Sequence, residues 1–294
     1  MTGGFGHRDW EISVAGAPIP RDLSCLFTVR KTLEPEPNTC EIAVYNLSPA
    51  TRKVIEGLSL DVTSGGEGRG AAPFRQVGPK VGNIRVDIEA GYTGVGRSLI
   101  FSGLLHTART DPERVDMRTV IQGEDSGQAY WASRVSASFP PGSTYETVAR
   151  YCAARAGVGD GNLPAVFASG GPARVYPRGT TLSGSALDEL RGVLRGMGMS
   201  VSIQDGVVFC TPANRRDIAP TTWVVLSDST GMIDSPSRTP EGRVKVRSLL
   251  RPGLFPGGGV DVRSSALSGK FSIVSVNYTG DTFGGPWFAD VEGV

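Results

Sequence analysis

The sequence predicts a mainly β chain carrying an α/β insertion, and three observations predict it. Glycine and proline are frequent, at 40 and 20 of 294 residues, which favours many turns over long helices. Apolar and polar residues alternate in short runs near both ends of the chain. The longer helical patterns fall in the middle, between about residues 143 and 197. The length has room for two or three small domains, and the character of the chain changes near residues 134 and 215. The predicted division is a β segment over 1–134, a small α/β module over 135–215 and a second β segment over 216–294.

In the first segment Trp10, Ile12 and Val14 alternate with polar residues, as do Leu23, Cys25, Phe27 and Val29. Glu34-Pro35-Glu36-Pro37-Asn38 breaks the pattern, and a strand resumes through Ile42 and Val44. Ser48-Pro49 reads as a helix start, serine at the N-cap and proline at the first helical position. Val54, Ile55 and Leu58 form its apolar stripe. Residues 63–82 are glycine-rich and read as a mobile loop. Ile84, Val86 and Ile88 give a half-buried strand. Leu99–Leu105 gives a strand buried on both sides or kinked at Gly103, and 118–123 gives another.

In the middle, Ser143-Thr144-Tyr145-Glu146 has capping-box spacing. Tyr145, Val148, Ala149, Cys152, Ala153 and Ala156 then follow at helical spacing, and Gly157 can end that helix. A second helix begins near Ser185 with Leu187, Leu190, Val193, Leu194 and Met197 on one side. Asp205-Gly206 between two apolar runs signals a hairpin. The last segment returns to β, with strands near 223–226, 244–248, 260–263, 271–278 and 287–291.

Lys and Arg total 30 against 29 Asp and Glu, so the chain is close to neutral. That argues against a dedicated nucleic-acid binder, although a neutral chain suits the wall of a DNA passage, where tight phosphate binding would hinder transit. No apolar run reaches about 18 residues, so no membrane span is expected. The N-terminus has no basic region followed by an apolar run, so no signal peptide is expected. Cys25, Cys40, Cys152 and Cys210 are dispersed and make no zinc pattern; Cys25 and Cys40 would face each other in a hairpin, with reduced thiols the expectation. His7 and His106 have no ligand-like company. Asp125-Ser126-Gly127 matches the core of aspartic proteases, but Glu124 stands where an apolar residue belongs, and a turn after a strand explains it better. No nucleophile elbow, metalloprotease or phosphate-loop motif is present. No cofactor, metal site or catalytic set is expected.

The stretch Arg243–Val262 stands apart. Arg243, Lys245 and Arg247 alternate with Val244, Val246 and Ser248, so one face is charged. A solvated face is the first reading, a salt-bridged subunit contact the second and a DNA-facing strip the third. The following loop, rich in proline and glycine, carries Leu249, Leu250, Leu254 and Phe255. Such apolar residues either tuck into their own core or meet another chain.

Several motifs carry a resemblance. Toward the C-terminus these are Thr230-Gly231-Met232-Ile233-Asp234-Ser235-Pro236, the stretch just described, Gly269-Lys270-Phe271 and Gly280-Asp281-Thr282-Phe283-Gly284-Gly285-Pro286-Trp287-Phe288. Toward the N-terminus they are Glu36-Pro37-Asn38 with Glu41, Asn46-Leu47-Ser48, Ala90-Gly91-Tyr92 and Phe101-Ser102-Gly103. In this order the chain resembles the baseplate hub proteins of tailed bacteriophages. The resemblance implies two tail-tube-like β-barrel domains, over 1–134 and 216–294, flanking the α/β module. It implies a homotrimeric, pseudo-sixfold ring that joins a sixfold tail tube to a threefold spike and forms part of the DNA ejection channel. The implied partners are other copies of the chain, a tail tube or distal tail protein, the central spike, a tape measure protein and DNA in transit without specific binding. The implied location is the tail baseplate of the virion, after assembly in the host cytoplasm. Leu249, Leu250, Leu254 and Phe255 are the expected interface residues. A tail-associated cell-wall hydrolase is one alternative, which zymogram clearing would support. A receptor- or glycan-binding tail protein is the other, to which 7% aromatic residues give no help.

Overall fold

Alternating burial organises the first segment as the sequence requires. Its strands are β1 (Arg8–Val14), β2 (Ala17–Pro18), β3 (Cys25–Thr32) and β4 (Thr39–Tyr45), then β5 (Arg85–Tyr92), β6 (Gly96–Glu113) and β7 (Asp116–Glu124), with helix α1 (Pro49–Leu58) between β4 and β5. The computed structural model describes residues 6–58, 84–126, 133–169, 174–251 and 253–294, so the 63–82 stretch and Gly127 lie outside the described residues. Ser48 caps α1 by accepting the Thr51 N–H at 3.1 Å. Of its expected stripe, Ile55 is buried but Val54 is 60% exposed. The two are neighbours about 100° apart around the helix, and of this pair Ile55 joins the sheet's apolar cluster.

The middle segment contains β8 (Arg134–Phe139), α2 (Tyr145–Ala156), α3 (Leu163–Ser169), β9 (Thr180–Ser185), α4 (Ala186–Arg195), β10 (Met199–Gln204) and β11 (Val207–Pro212). The N-cap of α2 is Thr144, whose side chain accepts the Thr147 N–H at 3.1 Å. The capping box expected from Ser143 and Glu146 therefore shifts by one residue, and Glu146 instead pairs with Arg150 one turn on. Gly157 ends α2 in the left-handed conformation, φ 74°. Ser185 caps α4. Met197 lies beyond the helix but still packs on the module's core. Asp205 (φ 52°) and Gly206 (φ 82°) make the β10–β11 turn with both residues left-handed, the geometry that two-residue hairpins favour. Helices α2 and α4 pack on one another, and their apolar faces share a cluster with Val201, Ile203 and Val208.

The last segment contains β12 (Trp223–Ser227), β13 (Ser237–Arg238), β14 (Val244–Leu249), β15 (Gly259–Arg263), β16 (Ser268–Asp281) and β17 (Trp287–Gly293). Among the described residues its strands join those of the first segment in one 13-stranded sheet, ordered β13-β14-β17-β16-β3-β4-β7-β6-β5-β1-β2, with β12 and β15 on a branch from β16. The seam is antiparallel pairing of β16 with β3, running from Ser275↔Thr32 to Asp281↔Leu26. Residues of both segments also share one apolar cluster. At the seam the Phe27 ring lies against Gly280, where a Cβ would come within 2.1 Å of it, and meets Trp287 edge-on at 5.4 Å. Among the described residues the main strand path ends in two-residue strands, β2 beside Ser13 and Val14 of β1 and β13 beside Val244 and Lys245 of β14. The fold is thus mainly β, with a small α/β module inserted between two β segments.

Candidate interaction surface and the joint of the middle module

The basic face of β14 is paired within its own chain. Lys245 meets Glu292 at 3.0 Å, and Arg243 reaches the same carboxylate at 3.5 Å. Arg247 grips Asp290 through two nitrogens, at 2.7 and 3.2 Å, and its guanidinium stacks 4.4 Å above the Phe288 ring. Register explains this: β14 pairs antiparallel with β17, so Lys245 stands opposite Glu292 and Arg247 opposite Asp290. The face remains open to solvent, with the Lys245 side chain 56% exposed, but its cations form an intrachain ion-pair ladder that leaves less positive charge for DNA.

The loop after β14 divides the four expected interface residues. Leu250 and Leu254 are 0% and 1% exposed and belong to the main apolar cluster. The Tyr278 hydroxyl donates to the Leu254 carbonyl in the interior, and the Gly257 N–H donates to the Ile273 carbonyl at 2.8 Å. These two leucines tuck into their own core, the first of the two alternatives open to this loop. Leu249 is half-buried, and Phe255 is 38% exposed. Proline and glycine let the loop fold back on the sheet, which carries Leu250 and Leu254 inward and leaves Phe255 at the rim.

A second apolar display escaped the sequence reading. Phe283, 66% exposed, sits on the turn between β16 and β17. Asp281 holds that turn by accepting the N–H groups of Phe283 and Gly285, at 2.8 and 3.0 Å. Arg8 adds donation to the carbonyls of Asp281 and Gly285. Ile233, Leu249 and Phe288 line the same shallow depression. The signal available in sequence was Phe283 within a glycine-rich turn.

The middle module meets the sheet through a buried polar cluster at the β10–β11 turn. Asp125, at the end of β7, accepts the Asn38 N–H (3.0 Å) and Ser126 hydroxyl (2.8 Å) on Oδ1. Its Oδ2 accepts the Asn38 side-chain amide (2.7 Å) and the Asp205 N–H (3.2 Å). Asp205 pairs with Lys31 Nζ at 2.5 Å and accepts the Ser102 N–H at 3.0 Å. Gln204 donates to the Thr32 carbonyl at 2.7 Å. Burial is the main cause that raises the Asp125 carboxyl to about 6, against opposing hydrogen bonds from Ser126 and Asn38 and the charge of Lys31. Asp125 is thus a joint residue rather than a plain turn residue. The local pattern identified the hairpin but gave no sign that its tip plugs into the first segment.

His7 and His106 are both exposed. All four cysteines are free and buried. Burial pushes the thiols of Cys25, Cys152 and Cys210 up to about 12, and that of Cys40 upward too, which keeps them protonated and unreactive. Among the described residues no group of His, Cys, Asp and Glu could hold a metal ion, and no helix is long and apolar enough to cross a membrane.

Solved structures define the class of this fold. The chain is similar to a tail protein from Neisseria meningitidis MC58, at TM-score 0.59 and 10% identity over 98% of this chain and 96% of that one. It is similar to the 43 kDa tail protein of prophage MuSo2 from Shewanella oneidensis, at TM-score 0.58 and 8% identity over 98% of each chain. It also resembles the E. coli c3393 protein, a component of the type VI secretion system, at TM-score 0.54 and 10% identity over 96% of this chain and 76% of that one. That component is described as structurally similar to the T4 bacteriophage tail proteins gp27 and gp5. The architecture is that of tail-tube-like hub proteins. The profile of the baseplate hub gp41 family matches residues 12–293, and the chain belongs to that family of structural tail components. No match was found among the curated proteins.

Proposed function

We propose that three copies of this chain form a pseudo-sixfold ring that joins a sixfold tail tube to a threefold spike. The observation that carries this reading is the continuous sheet, in which two β segments of one chain are joined through β3 and β16. Three chains with two tube-like units each supply six similar positions on a threefold axis. The units are residues 1–134 and 216–294, with the 135–215 module outside the ring wall. Neighbouring copies, a tail tube or distal tail protein, the spike and a tape measure protein are its partners, and DNA passes through the lumen without specific binding once the spike has left. The near-neutral charge and the intrachain pairing of the β14 basic face support passage over retention. The role is mechanical rather than catalytic, in the tail baseplate of a virion assembled in the host cytoplasm. Phe255 and Leu249 serve as contact residues, and Leu250 and Leu254 hold their loop in place.

Light scattering of the purified protein, with negative-stain imaging of the same fraction, tests this. The expected result is about three times the 30.9 kDa chain mass and a particle with an open centre. A monomer that also ignores added tail-tube and spike proteins would overturn the ring.

A further inference from the structure

The joint of the middle module places two carboxylates, Asp125 and Asp205, around one lysine, Lys31, with Asp125 and Lys31 both buried. With both acids ionised the cluster carries one negative charge in excess in a poorly hydrated place, and one proton balances it. We propose that seating the module on the strand frame takes up a proton at this cluster, so that mild acid tightens the joint and neutral pH loosens it. The proton comes from solvent and rests on an Asp125 carboxylate oxygen. Ser126 accommodates it: its hydroxyl, 2.8 Å from Oδ1, can turn from donor to acceptor.

Among the described residues, these charged and titratable groups face Asp125 or share its cleft. Lys31 comes from β3, Asp205 from the β10–β11 turn and the Cys40 thiol from β4. Arg85 of β5 and Arg155 of α2 line the same cleft. Glu124, the last residue of β7, precedes Asp125, and the buried Tyr278 hydroxyl feels the charge of Asp205. The hairpin tip contributes both Asp205 and Gln204, so unseating the module would open Asp125 to water and return it toward an ordinary carboxyl, near 4. The sign follows. The seated state binds the proton more tightly, with Asp125 at about 6. Its added stability is fully present below about 4 and is lost as pH rises through about 6.

The test is hydrogen exchange of the full-length protein over 100–105 and 199–212 at pH 5 and pH 7, corrected for intrinsic exchange. Protection at pH 5 is expected to exceed that at pH 7 by about tenfold, the ratio set by carboxyl values near 6 and 4. In Asp125→Asn that ratio should fall to about one; the two histidines are common to both proteins and cancel in the comparison. Equal protection at the two pH values in the wild type, or an undiminished ratio in D125N, overturns the proposal. Should D125N not fold, a carbon-13 titration of the wild-type aspartate carboxyls decides. One carboxyl titrating near pH 6 supports the proposal, and completion of every titration below pH 5 overturns it. The joint lies within one chain, so the result is independent of whether the ring forms.

Discussion

Gly280 and Leu254 show how single residues hold the sheet. A methyl group at Gly280 would strike the Phe27 ring, which is also locked by Trp287. Gly280→Ala is therefore expected to cost about 1–3 kcal/mol by overpacking, read as a lower urea midpoint. Leu254 is wholly enclosed, and Leu254→Ala is expected to cost about 2–5 kcal/mol in the same measurement. Phe255, one residue on, is partly exposed. Phe255→Ala should cost less stability than Leu254→Ala yet weaken self-association, measured by light scattering. An equal loss of stability with unchanged association would assign Phe255 to the core as well.

Among elements, helix α2 shows what local sequence can and cannot specify. Polar caps, apolar spacing and a terminal glycine mark its existence and its end. Its start is ambiguous, because Ser143 and Thr144 are both good caps. Backbone pairing decides between them: the Tyr145 N–H donates to the Arg174 carbonyl at 3.0 Å, and Thr144 bridges to Val175, which pins Thr144 in extended conformation. Thr144→Ala is expected to lower stability by about 1 kcal/mol, while Ser143→Ala has a smaller effect on the same unfolding midpoint. The strands are equally legible where one face is buried, as in β1 and β3. The partners of those strands are not legible. Nothing in alternation says that β3 pairs with β16, or that the charged face of β14 lies opposite acids of β17. Register is fixed by contacts far apart in sequence, which period-2 patterns do not encode. The site divides the same way: sequence found the 249–255 loop, while the Phe283 turn and the Asp125 joint depend on tertiary placement.

At the scale of the molecule, the two β segments act as one body and the middle module has a core of its own. Phe27→Ala in the first segment should therefore weaken hydrogen-exchange protection in β16 and β17 as well as β3, and change that of α2 and α4 less. Loss confined to the first segment would mean that the seam carries little stability.

The seam also has a consequence for synthesis. On the ribosome β3 emerges early, but its neighbour β16 emerges some 240 residues later, after the whole module. Until then one long edge of β3 is unpaired, and the nascent chain carries an open template for misplaced strands. The module draws its core from residues 135–210 alone and can close while the frame waits. Release of a nascent chain before β16 would leave a folded module tethered to an unfinished, adhesive sheet.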